Sequence, residues 1–520
     1  MIQCPFLLCY NPCSRIQVII RHEVGVPGLK RALIVVLFLL PASLVWLSCG
    51  GSSSTGGSKT SGLAYRAFIS NNVSAGTSSV AGVYIVNAVN DTRGPVAPIS
   101  AGNTPGMMVV TPNLAQTLVF SGNGTQFSDN QLTIINNASE SAATHVTLPG
   151  MTYSFVVSPD SSTAYVAVPT ATVTDQSPGA IGVINIKSGA IAAVITCPPL
   201  NPNPPNPPPP PVCVTQDQGD QGINQPYQFL SMGNTGTRIL AFSQGANAVA
   251  DTIAVITPSS VGTEYPVVTF VPGFDHPVAA FFNSDDTTAY VLNCGPECGG
   301  QQASIQTLDL TTNTAGPTGV VCTPGGNPSC IGTLNLTAGS VALINGSTMY
   351  VAGTPPPVGG APQQPCTGET TAAQSCGLLT IVDLSTMTVT NSGIIITDGY
   401  HDRIALGANG QLFIGASTCT EIFAPVPGDE VRGCLSIYNT LTSAVGPVAP
   451  GGVAIPAENG DVTGIQPIGT RQVVYVVQGG SLYIYNATTD ALEYNPNNPN
   501  NPGEVNGLIG YFIDVKIVDF

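Results

Sequence analysis

The sequence predicts an all-β protein that forms a single β-propeller of eight four-stranded blades. Three observations predict this fold: a composition that favours strands and turns, a strand unit that occurs eight times, and a strand-like run at the C-terminus. Four short strands repeated at spacings of about 45 to 75 residues are typical of propeller blades. Seven blades are the alternative, because the copies at Ala64 and Tyr227 are faint.

The composition is poor in charge and rich in turn-forming residues. Only 8% of the residues are charged, and the chain contains 58 Gly and 45 Pro. An average soluble protein is charged at about a quarter of its positions. Such a chain favours strands and tight turns over helices.

Each repeat contains an apolar strand a, a polar turn, a strand b that ends near Tyr-Val, a variable loop, and strands c and d. The clearest copy reads YSFVVSPDSSTAYVAV from Tyr153 and continues as AIGVINIKSGAIAAVIT from Ala180. Other copies contain VAAFFNSDDTTAYVLN, VALINGSTMYVAG, RIALGANGQLFIGAS and VTGIQPIGTRQVVYVV. Each strand c has the form x-Val-Ile-Asn/Asp or a close variant of it.

These motifs resemble the YVTN and lactonase-like propeller superfamily, whose repeats pass through "spdg..aYV" and "v.vid..t". The resemblance covers residues 64–520. It implies a propeller fold. That superfamily includes lactonases, binding proteins and surface proteins, so the resemblance implies no single function.

The two ends of the chain are predicted to close the ring. The unit at Ala64 supplies strands b and c, RAFISNN and GVYIVNAV, but a polar segment precedes them where strand a is expected. The last ten residues, YFIDVKIVDF, have the alternation and length of a strand a. We expect them to pair with the first blade, which removes an exposed sheet edge.

The first 48 residues read as an export leader, with Lys30 and Arg31 before an apolar run from Ala32 to Leu47. Cys49 follows at the position of a lipidated cysteine, in the imperfect motif WLSC. Residues 49–63 read as a flexible Gly/Ser tether to the propeller. We therefore expect a lipid-anchored protein of the bacterial cell envelope; a secreted protein and an uncleaved membrane anchor are the alternatives.

The net negative charge of the chain limits the classes of partner that it can bind. Residues 1–48 carry four of the 13 basic residues and one of the 29 acidic ones, so 9 basic and 28 acidic residues remain. Nucleic acid and anionic membrane surfaces are poor partners for such a body. We expect a monomer that contacts the membrane through its lipid only.

Ten cysteines follow Cys49, and neighbour pairing is the simplest pattern in an exported chain. The predicted pairs are Cys197 with Cys213, Cys294 with Cys298, Cys322 with Cys330, Cys366 with Cys376, and Cys419 with Cys434. Because neighbouring strands run antiparallel, b-to-c and d-to-a connections share one face of the disc. We expect all five disulfides on that face, where they prepare loops for recognition or protect them from proteolysis.

Polar residues collect on the same face where strands a begin beside the central channel. The catalytic candidates are Asp275, His276, His401 and Asp402, and the ligand-binding candidates are Tyr400, Arg403, Glu458, Asp461 and Tyr511. Histidines with carboxylates could hold a divalent cation or perform acid-base chemistry on a small ester. The alternative is that they cap strand ends in a wet channel. His145, in a strand d, is expected to be structural.

No cofactor is predicted, because the nucleotide, zincin and EF-hand motifs are missing from the sequence. Calcium could bind Asp217 with Asp220, or Asp429 with Glu430, although such loop carboxylates are more often solvated. The sequence favours a module that binds a protein, polymer or small molecule through its disulfide-bearing face. A lactonase-like hydrolase is the second reading, and a purely structural surface protein is the third.

Overall fold

The protein is described by a computed structural model whose described residues belong to a compact unit, Thr60–Phe520. They are residues 60–72, 80–122, 129–171, 179–195, 213–214, 227–243, 251–258, 267–323, 330–356, 376–419, 434–441, 451–456, 458, 460–501 and 503–519. The expected leader, Cys49 and most of the expected tether lie outside them. Within these ranges, no helix has the length and apolar character that crossing a membrane requires.

The strands form eight sheets, one for each predicted blade. Blade 1 begins with β1 (Arg66–Asn71), β2 (Gly82–Asn87) and β3 (Thr92–Arg93). Blade 2 contains β4 (Pro105–Val110), β5 (Gln116–Ser121), β6 (Gln131–Asn136) and β7 (Ser141–Thr147). Blade 3 contains β8 (Ser154–Val157), β9 (Thr163–Val168), β10 (Ala180–Asn185) and β11 (Ala190–Ile195). Blade 4 contains β12 (Cys213–Val214), β13 (Tyr227–Met232), β14 (Ile239–Ser243), β15 (Thr252–Thr257) and β16 (Val267–Pro272).

The second half of the chain continues the pattern. Blade 5 contains β17 (Pro277–Phe282), β18 (Thr288–Asn293), β19 (Ser304–Asp309), β20 (Thr314–Ala315), β21 (Gly319–Cys322) and β22 (Cys330–Asn335), with a 3₁₀ helix at Gly295–Cys298. Blade 6 contains β23 (Val341–Asn345), β24 (Thr348–Gly353), β25 (Gly377–Asp383) and β26 (Thr388–Ile396). Blade 7 contains β27 (Tyr400–Leu406), β28 (Gln411–Ser417), β29 (Leu435–Asn439) and β30 (Val453–Ala454). Blade 8 contains β31 (Val462–Ile468), β32 (Val473–Gln478) and β33 (Ser481–Asn486), and β34 (Phe512–Ile517) returns to blade 1.

The C-terminal strand closes the ring, as the sequence predicted. β34 pairs antiparallel with β1, placing Ile517 opposite Ala67 and Val515 opposite Ile69. It occupies the innermost position of blade 1 and contacts the innermost strands of both neighbouring blades, β4 and β31. The first blade is therefore assembled from both ends of the propeller domain.

The hydrophobic core lies between the blades rather than within any one of them. A cluster of buried apolar side chains fills each of the eight junctions between neighbouring blades. The middle strands are covered on both faces, and every residue of β1 and β32 is buried. This explains why strands b read as continuous apolar runs rather than alternating ones. Outer strands such as β7 alternate between exposed and covered positions.

The fourth strand varies between blades. In blade 8, where the sequence predicts a strand d near ALEYN, single bridges from Leu492 and Glu504 continue the outer edge of the sheet. In blade 4, β12 adds a short parallel strand outside β16. The predicted tether also ends earlier than expected, because the Ser61 amide and hydroxyl both donate to the Glu140 carboxylate of blade 2.

The two faces of the disc differ as predicted in their connections. We name the face with the b-to-c and d-to-a connections the loop face, and the face with the a-to-b and c-to-d turns the turn face. The Cys294–Cys298 and Cys419–Cys434 disulfides form and lie in b-to-c connections on the loop face. Cys376, at the end of the b-to-c connection of blade 6, is also disulfide-bonded. Its predicted partner Cys366, and the Cys197 side of the fifth pair, lie outside the described residues.

The Cys322–Cys330 disulfide forms, but its predicted location on the loop face is wrong. The cysteines face each other across the antiparallel hairpin of β21 and β22. β22 also pairs with β19, so the hairpin extends the outer edge of blade 5 and does not run directly to the next blade. Both sulfurs lie against the carbonyls of Ser385 and Thr386, in the c-to-d turn of blade 6. This disulfide therefore lies on the turn face.

Candidate functional site

The central channel contains two cavities, one towards each face. The cavity on the loop face has a volume of about 520 Å³, and the cavity on the turn face has a volume of about 510 Å³. Met107 and Arg403 line both, so the two cavities meet at these side chains. Both volumes fall in the range of about 300 to 1,000 Å³ that is usual for small-molecule sites.

The loop-face cavity is formed where the innermost strands of blades 3 to 7 begin. Its polar lining residues are Thr152, Ser340, Tyr400, Asp402, Arg403 and Ser417. Tyr153 and Phe229 add aromatic rings, and about half of the Tyr153 side chain is exposed. Three of the predicted site residues, Tyr400, Asp402 and Arg403, thus come together in one cavity.

Arg403 and Asp402 form an ion pair inside this cavity. Nη1 of Arg403 lies 3.1 Å from Oδ2 of Asp402, and Nε donates to the Thr463 carbonyl of blade 8 at 2.7 Å. Burial raises the pKa of the Asp402 carboxyl, although the Arg403 charge opposes the shift. The other carboxylate oxygen, Oδ1, has no hydrogen-bond partner among the described residues.

Glu297 is a residue that the sequence analysis missed, and its charge acts on Tyr400. Its Oε2 accepts a hydrogen bond from the Thr354 amide at 3.0 Å, and Thr354 Oγ1 donates to the Gly399 carbonyl at 2.8 Å. Burial raises the pKa of Glu297 to about 7, although the Thr354 amide and the Ser340 hydroxyl favour its charged form. The signal was present in CGPEC, where one acid lies inside a five-residue disulfide loop.

Burial and the neighbouring carboxylates also act on Tyr400. Burial, followed by the charges of Glu297 and Asp402, raises the pKa of the Tyr400 phenol to about 12. Its hydroxyl is therefore a hydrogen-bond donor at neutral pH. Tyr400, Glu297 and Asp402 thus form one electrostatically coupled group at the loop-face cavity.

Asp275 and His276 hold the Cys294–Cys298 loop and are not among the residues that line either cavity. Asp275 Oδ2 accepts hydrogen bonds from the Gln301 and Gln302 amides, and its Oδ1 lies 3.0 Å from Nδ1 of His276. Burial disfavours the carboxylate, but these contacts outweigh it and lower the pKa of Asp275. The pair therefore clamps the loop that carries Glu297.

His401 is fully buried between blades 6 and 7, away from the lining of both cavities. Its ring packs so closely on β25 that a Cβ added at Gly377 would lie 2.6 Å from its Cε1. Burial lowers the pKa of His401 to about 4, against an interaction with the Thr397 backbone. Neither ring nitrogen makes a hydrogen bond of ordinary geometry to a described residue. His276 and His401 begin equivalent strands, but their rings do not meet.

The other predicted ligand-binding residues stabilise loop ends around blade 8. Glu458 accepts a hydrogen bond from the Tyr485 hydroxyl at 2.9 Å, and Asp461 accepts one from the Thr418 amide at 2.9 Å. The ring of Tyr511 packs against Gly480, and about half of it is exposed. These three residues lie on the loop face but outside the lining of the loop-face cavity.

Metal ligands do not cluster in the part of the chain that the structure describes. There, no three His, Cys, Asp or Glu side chains are arranged to hold a metal ion. The possible calcium ligands Asp217, Asp220, Asp429 and Glu430 lie outside the described residues. His145, predicted to be structural, lies in β7 with Nδ1 within 3.0 Å of Thr133 Oγ1.

The fold and the site define the chain as an eight-bladed β-propeller with a polar and aromatic cavity at one mouth of its channel. No protein-family model matches the sequence, and no curated protein sequence matches it.

Solved structures share the fold. A dihydro-heme d1 dehydrogenase in complex with DHE aligns with a TM-score of 0.53 and 10% identity, over 87% of this chain and 75% of its own. The periplasmic gluconolactonase of Pseudomonas aeruginosa aligns with a TM-score of 0.41 and 13% identity, over 87% of this chain and 98% of its own. Hydrazine synthase of Kuenenia stuttgartiensis gives a TM-score of 0.47 and 12% identity, over 76% and 99%. At these identities the likeness describes the fold alone.

Proposed function

We propose that this propeller is an extracytoplasmic binding module that holds a small polyhydroxylated ligand, such as a sugar or a sugar acid, in the loop-face cavity. The convergence of Tyr400, Asp402 and Arg403 in one cavity of about 520 Å³ carries the proposal. A carboxylate and a guanidinium side by side can accept from and donate to vicinal hydroxyl groups.

The remaining lining suits the same ligand class. The hydroxyl oxygens of Thr152, Ser340 and Ser417 supply further acceptors around the rim, since each hydroxyl already donates to a backbone carbonyl. Tyr153 and Phe229 provide flat apolar surfaces against which a sugar ring can pack. The Thr354 and Asp275 contacts hold the surrounding loops in place, and a prearranged site loses less entropy on binding.

The test is a calorimetric titration of the full chain with glucose, gluconate and galacturonate in turn. We expect at least one of them to bind the wild type and to bind Asp402→Asn about tenfold more weakly, because a charge-assisted hydrogen bond is lost. Tyr494→Phe, at an exposed tyrosine of blade 8, is the matched control and should bind like the wild type. The proposal fails if Asp402→Asn binds every member of the panel as the wild type does.

Hydrolysis of a small lactone is the second candidate function, and the pairing of Glu297 with Tyr400 is the observation that favours it. A carboxyl with a pKa of about 7 is poised to act as a general base near neutral pH, but Glu297 does not line the cavity itself and would have to act through Tyr400, which does. The predicted histidines do not line the cavity either, and they have no role in this step. Turnover of gluconolactone that survives in Glu297→Gln would argue against this role.

We also propose that the chain is exported and attached to the envelope through a lipid on Cys49. The support is the leader-like sequence before Cys49 together with disulfides in the propeller, which are usual in oxidising compartments. Metabolic labelling with a palmitate analogue should mark the wild type and not Cys49→Ala. Equal labelling of both proteins would refute the lipid.

A further inference from the structure

The turn-face cavity is lined by two of the few cations of an acidic chain. The sequence has 13 basic residues against 29 acidic ones, yet the lining of this cavity contains Arg403 and Lys516 with a single carboxylate, Asp514. Asp402, in the lining of the loop-face cavity, pairs with Arg403, so the two cations and their two carboxylate partners are neutral overall. An anion would therefore be recognised by N–H donors that these pairs leave free, not by an excess of positive charge.

Asp514 does not occupy all the hydrogen-bond donors of these cations. Its Oδ2 accepts from the Met108 amide at 2.8 Å, and its Oδ1 accepts from the Val515 amide at 2.8 Å as well as from Lys516 Nζ at 2.9 Å. Backbone amides thus satisfy both oxygens. An ammonium group has three donors, and Lys516 gives one of them to the described residues, so two remain for a ligand.

The Arg403 guanidinium also has N–H donors that no described residue occupies. Its Nε donates to Thr463 and its Nη1 is bound to Asp402, while Nη2 makes no hydrogen bond to a described residue. Arg403 lines both cavities, so its side chain lies where the two cavities meet. Lys516 and Arg403 together can bind the two oxygens of one carboxylate.

The rest of the lining is mainly apolar. Met107, Val109, Val110, Leu114 and Ile517 supply most of the surface between these cations and the rim. Gly469, in the exposed a-to-b turn of blade 8, lies at that rim, and a Cβ there would meet no atom within 4 Å. An apolar passage that ends in two cations matches a molecule with an apolar chain and one anionic end.

We propose that the turn-face cavity is a second binding site, which takes a small amphiphilic carboxylate of the fatty-acid class. Its carboxylate binds Lys516 and Arg403, and its chain packs against Met107, Val109 and Leu114. The site is separate from the loop-face cavity and opens on the opposite side of the disc. The two sites share only Met107 and Arg403, so they can be tested apart through Lys516.

The test uses octanoate as the probe in calorimetric titrations of the full chain. We expect octanoate to bind the wild type, 1-octanol to bind about tenfold more weakly, and Lys516→Met to bind octanoate about tenfold more weakly. Lys187→Met removes an exposed lysine of blade 3 and is the matched control, with unchanged affinity. Melting curves confirm that Lys516→Met is folded, which we expect because the backbone amides still hold Asp514.

A second pair of variants tests the position without touching the cations. Leu114 has a φ of +60°, a conformation that Asp and Asn adopt more readily than Leu. Both Leu114→Asp and Leu114→Asn remove an apolar contact, but only Leu114→Asp adds a negative charge beside the passage, so it should weaken octanoate binding about tenfold more than Leu114→Asn does. The proposal is overturned if Lys516→Met binds octanoate like the wild type, if octanol binds as tightly as octanoate, or if the two Leu114 variants behave alike.

Discussion

Arg66 and Asp519 form a two-point ion pair that joins the first strand of the propeller to its last residues. Nε and Nη2 of Arg66 donate to Oδ2 and Oδ1 of Asp519 at 2.7 and 2.8 Å. The third guanidinium nitrogen, Nη1, donates to Glu140 of blade 2 at 2.7 Å, and Arg66 is 1% exposed. One buried cation thus ties the C-terminus, blade 1 and blade 2 together.

A second ion pair holds the opposite side of blade 1. Nη1 and Nη2 of Arg471, in blade 8, donate to the two oxygens of Asp91 at 2.6 and 2.8 Å. The Tyr475 hydroxyl also donates to Asp91. Blade 1, the only one built from both ends of the described propeller, is therefore fixed by ion pairs to both neighbours.

The ring closure predicts a graded loss of stability. Asp519→Asn should lower the free energy of unfolding by about 1–3 kcal/mol, because a charged partner is removed from a buried guanidinium. Deletion of residues 511–520 also removes the β34 ladder and its buried Phe512 and Val515, so cooperative melting should be lost. Lys187→Gln, an exposed charge removal, should melt like the wild type. A deletion variant that melts like the full chain would refute closure by β34.

Because the Cys294–Cys298 disulfide closes the loop that carries Glu297, we expect its loss to affect both stability and ligand binding in the loop-face cavity. Replacing both cysteines by Ser should cost about 2 kcal/mol from chain entropy, and replacing Cys419 and Cys434, which close a longer loop, should cost about 3 kcal/mol. The first replacement should also free Glu297 and weaken ligand binding in the loop-face cavity. Chemical denaturation and calorimetry measure both effects. Undiminished affinity in the Cys294/Cys298 double variant would contradict the link.

The raised pKa of Glu297 predicts that the stability of the fold decreases as the pH rises. Its folded pKa of about 7 lies above its unfolded value of 4.5, so the folded state holds the proton more tightly between these values. Stability is therefore greatest below about pH 4.5 for this group and falls as the pH rises through 7, by on the order of 1–3 kcal/mol. Glu297→Gln should lack this fall when denaturation at pH 5 and pH 8 is compared. Identical pH profiles for the two proteins would contradict the assignment.

The lowered pKa of His401 predicts the opposite dependence of stability on pH. Its folded pKa of about 4 lies below its unfolded value of 6.5, so the unfolded chain binds the proton more tightly. The contribution of His401 is present above about pH 6.5 and is lost as the pH falls towards 4. His401→Gln should lose less stability on acidification than the wild type does, and His276→Gln serves as the matched histidine control. A His401→Gln profile parallel to that of the wild type would exclude a buried neutral ring.

The sequence was sufficient for the architecture because strand repeats and turns are local signals. The eight blades and the Cys294–Cys298 and Cys419–Cys434 pairs follow from neighbouring residues. The closing strand was found by comparing repeats, because the first unit lacks a strand a and the C-terminal run has the pattern of one. Cys322–Cys330 was placed on the wrong face, because the β21–β22 hairpin depends on pairing with β19, which lies more than 20 residues before Cys330.

The sequence could not predict which side chains at the site point into the cavity. The pairing of β27 with β28 shifts register between His401 and Arg403. A bulge of this kind interrupts the alternation of side chains, so Asp402 and Arg403 both reach the cavity while His401 turns into the blade junction. Glu297 was missed because its environment is created by Thr354 and Tyr400, which belong to other blades.

The central claim is that the loop-face cavity holds a ligand through Tyr400, Asp402 and Arg403. The most direct measurement is a crystal structure of the full chain grown with the member of the sugar panel that binds most tightly. We predict electron density for that ligand in the loop-face cavity, within hydrogen-bond distance of Asp402 and Arg403. Density for the bound ligand at any other place on the propeller would contradict the claim.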